Sequence, residues 1–407
     1  MTAPIAITGA GIVSPIGTGL AAFGEACAAG TVGIGPAPYH GEPGAEHAWA
    51  ARVTDFDPDR WMEPRVRDAT ARFSQFALAA AVQAVESAGG IDPDRTGCVH
   101  GTAMAGIDAL AAAQHALSTV GPQAVPRKLN IEAWPNMAGG QIALRFGLHG
   151  PLSTISTACA SSADAIGLAC WMIEQGRADA MLAGGSDAAL QRLTFHSQIN
   201  YGMLRPVEDP RRASLPFDVA RCGIVEGEGS AMIVLEDGER ARARGAQVLG
   251  WVRGYASVSE AYHPSSPQPD GHWEQRVMRL ALADAGIEPD EVDVVLAHGT
   301  ATPVGDAAEI AAINAVFGGR PDLVVTSVKG HVGHSGGAAN VTALLAGLWG
   351  MANDLVVPTA GTTELDPAVT FRVPLGTQPL RMPVRTMVVN AFGFGGQDSC
   401  LVVTAEP

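Results

Sequence analysis

The sequence predicts an α/β protein made of two similar layered units that share one core and meet near residue 250. Three observations predict it. Strand-like, turn, helical and again strand-like segments succeed one another between residues 152 and 184, the order of a parallel α/β unit. A comparable alternation returns after residue 270. With 47% hydrophobic and only 16% charged residues over 407 positions, the chain has enough apolar surface to bury a core of that size.

The elements follow in order. Residues 3–8 read as a short buried strand, followed by Gly9, Ala10, Gly11, Ile12, Val13, Ser14 and Pro15. A dinucleotide fingerprint would need a glycine and the start of a helix at position 14, so Ser14 and Pro15 argue against a nucleotide-binding fold. Apolar residues at helical spacing over 69–89, with Phe73, Phe76, Ala77 and Ala80 on one face, predict a core helix that Gly89 and Gly90 stop. A strand at 97–101, a polar stretch at 121–135, a helix at 136–146, a strand at 152–157, a helix at 160–175 and a strand at 178–184 complete the first unit. The second unit reads as a helix at 272–286, a strand at 292–297, a helix at 306–317 and a strand at 323–327. A glycine-rich loop at 330–337, a helix at 338–352 and strands at 386–390 and 401–404 finish it. The expected units are residues 1–250 and 251–407.

Composition excludes several function classes. The net charge is −15 and no basic run with interleaved aromatics occurs, which leaves no footprint for nucleic acid. There is no apolar stretch of about 18 residues and no signal-peptide pattern, so no membrane association and a cytoplasmic location are expected. Six cysteines lie far apart without a C-x-x-C pair, which suggests neither a disulfide framework nor a zinc site. His196, His263 and His272 have no metal-binding spacing, and no metal is expected.

Chemistry concentrates at three strand ends. Cys159, in Ser156-Thr157-Ala158-Cys159-Ala160-Ser161-Ser162, stands where an apolar strand gives way to a helix. A thiol there meets unpaired backbone N–H groups and the positive end of the helix dipole, which favour the thiolate; the other reading is a buried structural cysteine. His298 and His334 each follow a hydrophobic strand, at the end of a sheet where open α/β proteins place ligands. Either alone reads equally as a histidine satisfied near the core. With Lys329 and Cys159 they make a nucleophile, two imidazoles and a cation from separate strand ends.

Four stretches together resemble a known family. They are the cysteine stretch, the H-G-T-x-T-P-x-G-D-x-x-E run from His298 to Glu309, the K-x-x-x-G-H loop from Lys329 to His334, and Asn390-Ala391-Phe392-Gly393-Phe394-Gly395-Gly396. They are similar to the signatures of β-ketoacyl-[acyl-carrier-protein] synthases of the elongating type II, within the thiolase superfamily. The resemblance implies a five-layered α/β/α/β/α thiolase-like fold of two similar halves. It implies that Cys159 takes the acyl chain as a thioester, and that His298 and His334 hold a malonyl thioester while carbon dioxide leaves. The product is then a β-ketoacyl carrier protein, on a fatty-acid or polyketide route. Lys329 and Glu309 match the family's charged pair, and the N–H groups of Cys159 and Phe394 its oxyanion donors, with Phe394 also its gating aromatic. Asp306, Thr300 and Thr302 occupy supporting positions, and Asp306 reads equally as a carboxylate facing its helix dipole.

By the same resemblance no resident cofactor is needed, because substrates arrive on the phosphopantetheine of an acyl carrier protein. A homodimer, or a heterodimer with a chain-length factor, is implied. Arg65, Arg67 and Arg72 are candidates for carrier docking, with an ordinary solvated helix face the other and favoured reading of each. Met104 and Trp134 are candidates for the acyl pocket, with plain core packing the other reading of Met104. Departures from the family pattern are Cys222 and Ile224, and a polar segment at 128–135 with Asn130, Glu132 and Trp134. His331 matches no catalytic position. The alternative function is a silent chain-length or docking subunit, against which Cys159 argues directly. A thiolase would use another cysteine near Phe394, and an initiating condensing enzyme would have asparagine where His334 stands.

Overall fold

The computed structural model describes residues 4–204 and 207–407. Among the described residues the main sheet has eleven strands, ten along its path and a two-residue strand, Gly17–Thr18, paired with the end of the first; the ten are β1 (Ile5–Ser14), β2 (Thr96–Gly101), β3 (Leu152–Ile155), β4 (Ala180–Asp187), β5 (Gly229–Asp237), β6 (Gly250–Ser259), β7 (Val294–Leu296), β8 (Val324–Thr326), β9 (Thr386–Gly393) and β10 (Gln397–Thr404). The helices used below are α1 (Arg72–Ser87), α2 (Ile107–Thr119), α3 (Met137–Phe146), α4 (Ser161–Glu174), α5 (Arg192–Tyr201), α6 (His272–Ala285), α7 (Pro303–Phe317) and α8 (Ala339–Ala352).

The strand order is β8-β7-β9-β10-β6-β1-β5-β4-β2-β3. Counted outward from the β1/β6 seam, each half repeats one topology: β1-β5-β4-β2-β3 on one side and β6-β10-β9-β7-β8 on the other. The seam is short, pairing Ile5 with Val252, Ala6 with Trp251 and Ile7 with Gly250. Each half is mixed rather than wholly parallel. β2 runs parallel to β3 and β4, and β7 parallel to β8 and β9, while the strands nearer the seam are antiparallel.

Alternation along the strands produces the layers. In β5, Ala231, Ile233 and Leu235 enter one core while Met232 and Val234 enter another. In β9 and β10, Met387, Val389, Leu401 and Val403 join that first core, and Val388 and Val402 face a third. Side chains on a strand point alternately to its two faces, so both half-sheets share the first core and each owns one outer core. α4 and α8 fill the shared core, α1 and α3 cover the first half, and α6 and α7 cover the second. This is the five-layered thiolase-like architecture.

β1 is longer than the sequence suggests, running through Gly9 and Gly11 to Ser14. A Cβ on Gly9 would stand 2.1 Å from the Ala84 carbonyl oxygen, and one on Gly11 2.1 Å from that of Ala80. These glycines therefore seat α1 directly on the strand. The stretch at 330–337 is likewise not all loop, because Lys329–Val332 forms a short helical turn. The segments at 107–119, 192–201, 229–237 and 250–259 form α2, α5, β5 and β6, none of which the sequence alone identifies. Among the described residues no helix is long and apolar enough to cross a membrane. Substituting Gly11→Ala should lower stability by about 1–3 kcal/mol, the usual penalty for overpacking, seen as a reduced denaturant midpoint with an unchanged slope.

Candidate active site

The two-fold topology sets equivalent strand ends against each other. β3 delivers Cys159, and its counterpart β8 delivers Lys329 and His334. β2 leads to Met104, and its counterpart β7 to His298; β4 ends at Asp187, and its counterpart β9 leads to Phe394.

Cys159 sits in a 3-10 turn, Ala158–Ala160, between β3 and α4. Ala158 has φ +49°, a left-handed conformation that costs about 1–3 kcal/mol for a residue with a side chain. Ser161 clamps this corner: its Oγ accepts from the Thr157 N–H at 3.0 Å and donates to the Ala158 carbonyl at 2.6 Å. The thiol is thereby presented at a sharp strand-to-helix bend, and the Phe394 N–H hydrogen-bonds to it.

The histidine loops are tied by buried groups. Glu309, on α7, accepts from the N–H of His298 at 2.8 Å, of Gly299 at 2.7 Å and from Asn390 Nδ2 at 3.0 Å. Lys329 Nζ donates to the His298 carbonyl. The His334 N–H donates to Val225 O at 2.7 Å, and its Nδ1 accepts from the Gly336 N–H at 3.1 Å, so its proton resides on Nε2. The two imidazoles stand edge to face, 5.5 Å apart at 86°. Donor atoms of Cys159, His298 and His334 all lie within 4.8 Å of one another. All three side chains line one cavity of about 460 Å³. That spacing would also admit a metal ion, but the buried Lys329 charge acts on all three groups and disfavours a cation there.

The site rests in its neutral form. Burial, then the Glu226 carboxylate, pushes the Cys159 thiol up to about 11, against opposing pulls from Lys329 and the Phe394 N–H. Burial therefore opposes the thiolate that the helix terminus favours. Burial holds the His298 imidazole well below its ordinary range and moves His334 down to about 3, with Lys329 adding to both. Burial also lowers Lys329 to about 8 while Glu309 opposes it, and it raises Glu309. Two uncharged imidazoles and a cation held behind them form a hydrogen-bond-donating wall suited to a developing negative oxygen.

The remaining predicted residues separate by place. Thr300 and Thr302 line the cavity with their hydroxyls 3.0 Å apart, and Thr302 Oγ1 caps α7 by accepting from the Gly305 N–H. Asp306 is raised to about 7 by burial and accepts from the N–H groups of Phe217 and Ala301, which shapes the His298 loop from behind. Phe394 is at the cavity rim, 42% exposed, between glycines of which Gly395 and Gly396 have φ of +87° and +69°. Met104 lines the cavity; Trp134 does not belong to its described wall, because it follows a short helix onto an exposed face. Cys222 also lines the cavity. The His331 ring bridges the carbonyls of Thr31 and Pro358, each at 2.7 Å, a structural tie. Arg65, Arg67 and Arg72 are each paired with an acid, Arg65 and Arg67 at the surface and Arg72 with the buried Glu228.

Sequence reasoning missed Asp187, Gln198 and Glu226. Asp187 accepts from Thr102 Oγ1 and from the N–H groups of Ala103, Met104, Ala105 and Gly337, joining the Met104 loop to the segment after His334. Its one sequence signal is an acid closing an apolar strand.

A strained cysteine elbow facing two neutral imidazoles at the ends of a duplicated sheet defines an acyl-transferring condensing enzyme. The family description "Beta-ketoacyl synthase, N-terminal domain" matches residues 2–241, and its C-terminal counterpart matches residues 249–363. The chain belongs to the β-ketoacyl synthase family and is an acyltransferase of the condensing type. It is 33% identical to 3-oxoacyl-[acyl-carrier-protein] synthase 2 of Synechocystis, over 98% of this chain and 97% of that protein. It is 35% identical to a putative polyketide β-ketoacyl synthase 1 of Streptomyces cyaneus, over 99% and 98%. Among solved structures, the ishigamide ketosynthase/chain length factor superposes with a TM-score of 0.92 at 32% identity, covering 100% of both chains. A type II polyketide ketosynthase in complex with its acyl carrier protein gives 0.91 at 30% identity, again covering 100% of both.

The electrostatics predict that iodoacetamide alkylation of Cys159 rises about tenfold per pH unit from 7 to 10, since only the thiolate reacts and the thiol lies above that range. Glu226→Gln removes a negative charge beside the sulfur and should speed alkylation at pH 9.5. A plateau near pH 7, read by intact-protein mass, would show a resting thiolate instead.

Proposed function

We propose that Cys159 carries the acyl chain and that His298 and His334 hold malonyl-[acyl-carrier-protein] in a decarboxylative Claisen condensation. The observation that carries this reading is the meeting of sulfur and both imidazoles within 4.8 Å in one cavity. Sγ attacks the incoming thioester carbonyl, and the phosphopantetheine sulfur leaves with the thiol proton, so the high resting pKa costs no stored charge. The N–H groups of Cys159 and Phe394 receive the oxyanion. Loss of carbon dioxide from the malonyl thioester then leaves an enolate whose oxygen accepts from the two imidazoles. Its carbon attacks the acyl-Cys159 carbonyl, the C–S bond breaks, and a β-ketoacyl carrier protein is released.

Uncharged imidazoles suit this task, because they offer hydrogen bonds to the enolate oxygen without handing over a proton that would quench the nucleophile. Lys329 and Glu309 act on the loop backbone rather than on substrate. No resident cofactor enters; the substrates bring the phosphopantetheine arm. The acyl carrier protein is the partner, and the named activities of the relatives support either a fatty-acid or a polyketide route in the cytoplasm. Leu144, Trp134 and Leu152, exposed to 75%, 53% and 49%, lie near the open edge of β3 and support covering of that face by a second copy or a chain-length factor. The intact Cys-His-His set favours a catalytic subunit over a silent one.

Cys159→Ala should abolish acylation and cerulenin labelling by intact-mass analysis. His334→Ala should reduce carbon dioxide release from malonyl carrier protein by about 10²–10³-fold, the usual loss for one oxyanion donor. Unchanged decarboxylation in His334→Ala and in the matching His298→Ala variant would overturn the mechanism.

A further inference from the structure

The cavity has one wall that this chemistry leaves unused. His298 and His334 face the malonyl group, while Thr300, Thr302 and the exposed Phe394 mark the rim through which a carrier arm enters. The acyl chain on Cys159 is left with the wall contributed by α5 and the segment before β5. There stand Met203 and Ile224, with the polar pair Gln198 and Glu226 among them, while Met104 enters the cavity from the loop after β2.

Gln198 Nε2 donates to Glu226 Oε1 at 2.8 Å. Glu226 bridges to His334 through the backbone, with the Gly227 N–H donating to the His334 carbonyl at 2.9 Å, which fixes it beside the catalytic loop. It lines the same cavity as Cys159, and its charge opposes ionisation of the thiol. Gln198 Oε1 is buried without a hydrogen-bond partner among the described residues. A plain alkyl chain lying here would strip water from the cavity-lining Glu226 carboxyl, and an acceptor buried without a donor is penalised. A chain bearing a hydroxyl or amino group supplies the missing donor.

We infer that Gln198 and Glu226 form a specificity-determining pair that selects an acyl chain carrying a hydrogen-bond donor over an unsubstituted alkyl chain. The inference rests on the acyl-Cys159 reading above. It predicts substrate preference within that reaction, with Glu226 pairing with the chain's hydroxyl or ammonium and Gln198 Nε2 holding the carboxyl in place. Burial raises Glu226 to about 8, so a cationic amine would also favour its ionised form.

The test is the rate of Cys159 acylation, by intact-protein mass, from N-acetylcysteamine thioesters of matched length: hexanoyl, 3-hydroxyhexanoyl, 3-aminohexanoyl, 5-hydroxyhexanoyl and 6-hydroxyhexanoyl. At least one hydroxy- or aminoacyl thioester should acylate about tenfold or more faster than hexanoyl, and the preferred position locates the pair along the chain. The double variant Gln198→Phe, Glu226→Leu should reverse the ranking toward hexanoyl. If that variant does not fold, the wild-type ranking alone decides. Hexanoyl equal to or faster than every substituted chain overturns the inference while leaving the condensing reading intact, as does an unchanged ranking in a folded double variant. No acylation of Cys159 by any thioester overturns both.

Discussion

A single buried carboxylate, Glu309, fixes the geometry on which the site depends. It accepts from two successive N–H groups of the His298 loop and from Asn390 on β9, while Lys329 reaches the His298 carbonyl from the β8 end. Three strand ends of the second half are thereby locked together before any substrate arrives. Such a charged pair is costly to bury, and burial moves Lys329 and Glu309 toward neutrality. The network persists because every oxygen of Glu309 has a donor, which is the condition under which a buried polar network rigidifies instead of destabilising.

Neutrality is the second organising feature. A low-dielectric cavity keeps the thiol protonated and the imidazoles uncharged, yet it strengthens each hydrogen bond offered to a charge that appears during reaction. Lys329 is placed where its charge acts on Cys159 and both histidines without occupying the cavity wall, so it adds a favourable potential without competing for substrate. Glu226 opposes it at the sulfur. The balance between that acid and that base sets how readily the nucleophile forms.

Duplication explains why opposite halves cooperate. Equivalent strands of the two half-sheets end at the same place, and the shared core of α4 and α8 holds them at one distance. Ser162 on α4 and Asn340 on α8 contact each other within that core, joining the helix that follows the cysteine to the one that follows His334. The left-handed residues Ala105, Ala158 and Ala301 each follow one of the strands that feed the site, so backbone strain is concentrated where side chains must be aimed.

The sequence by itself determined several core helices and strands and the identity of Cys159, His298, His334, Lys329 and Glu309, because local hydrophobic patterning and short motifs are carried by neighbouring residues, but it did not reveal α2, α5 or the central strands β5 and β6. It did not reveal that β1 continues through Gly9 and Gly11, since those glycines have meaning only once α1 lies on them. Nor could it show a protonated thiol, because desolvation depends on what surrounds the sulfur in space. Asp187, Gln198 and Glu226 were invisible for the same reason: their donors and neighbours lie 28 to 150 residues away. Local chemistry was legible in the chain, whereas burial, charge coupling and the shape of the acyl wall were decided by long-range packing alone.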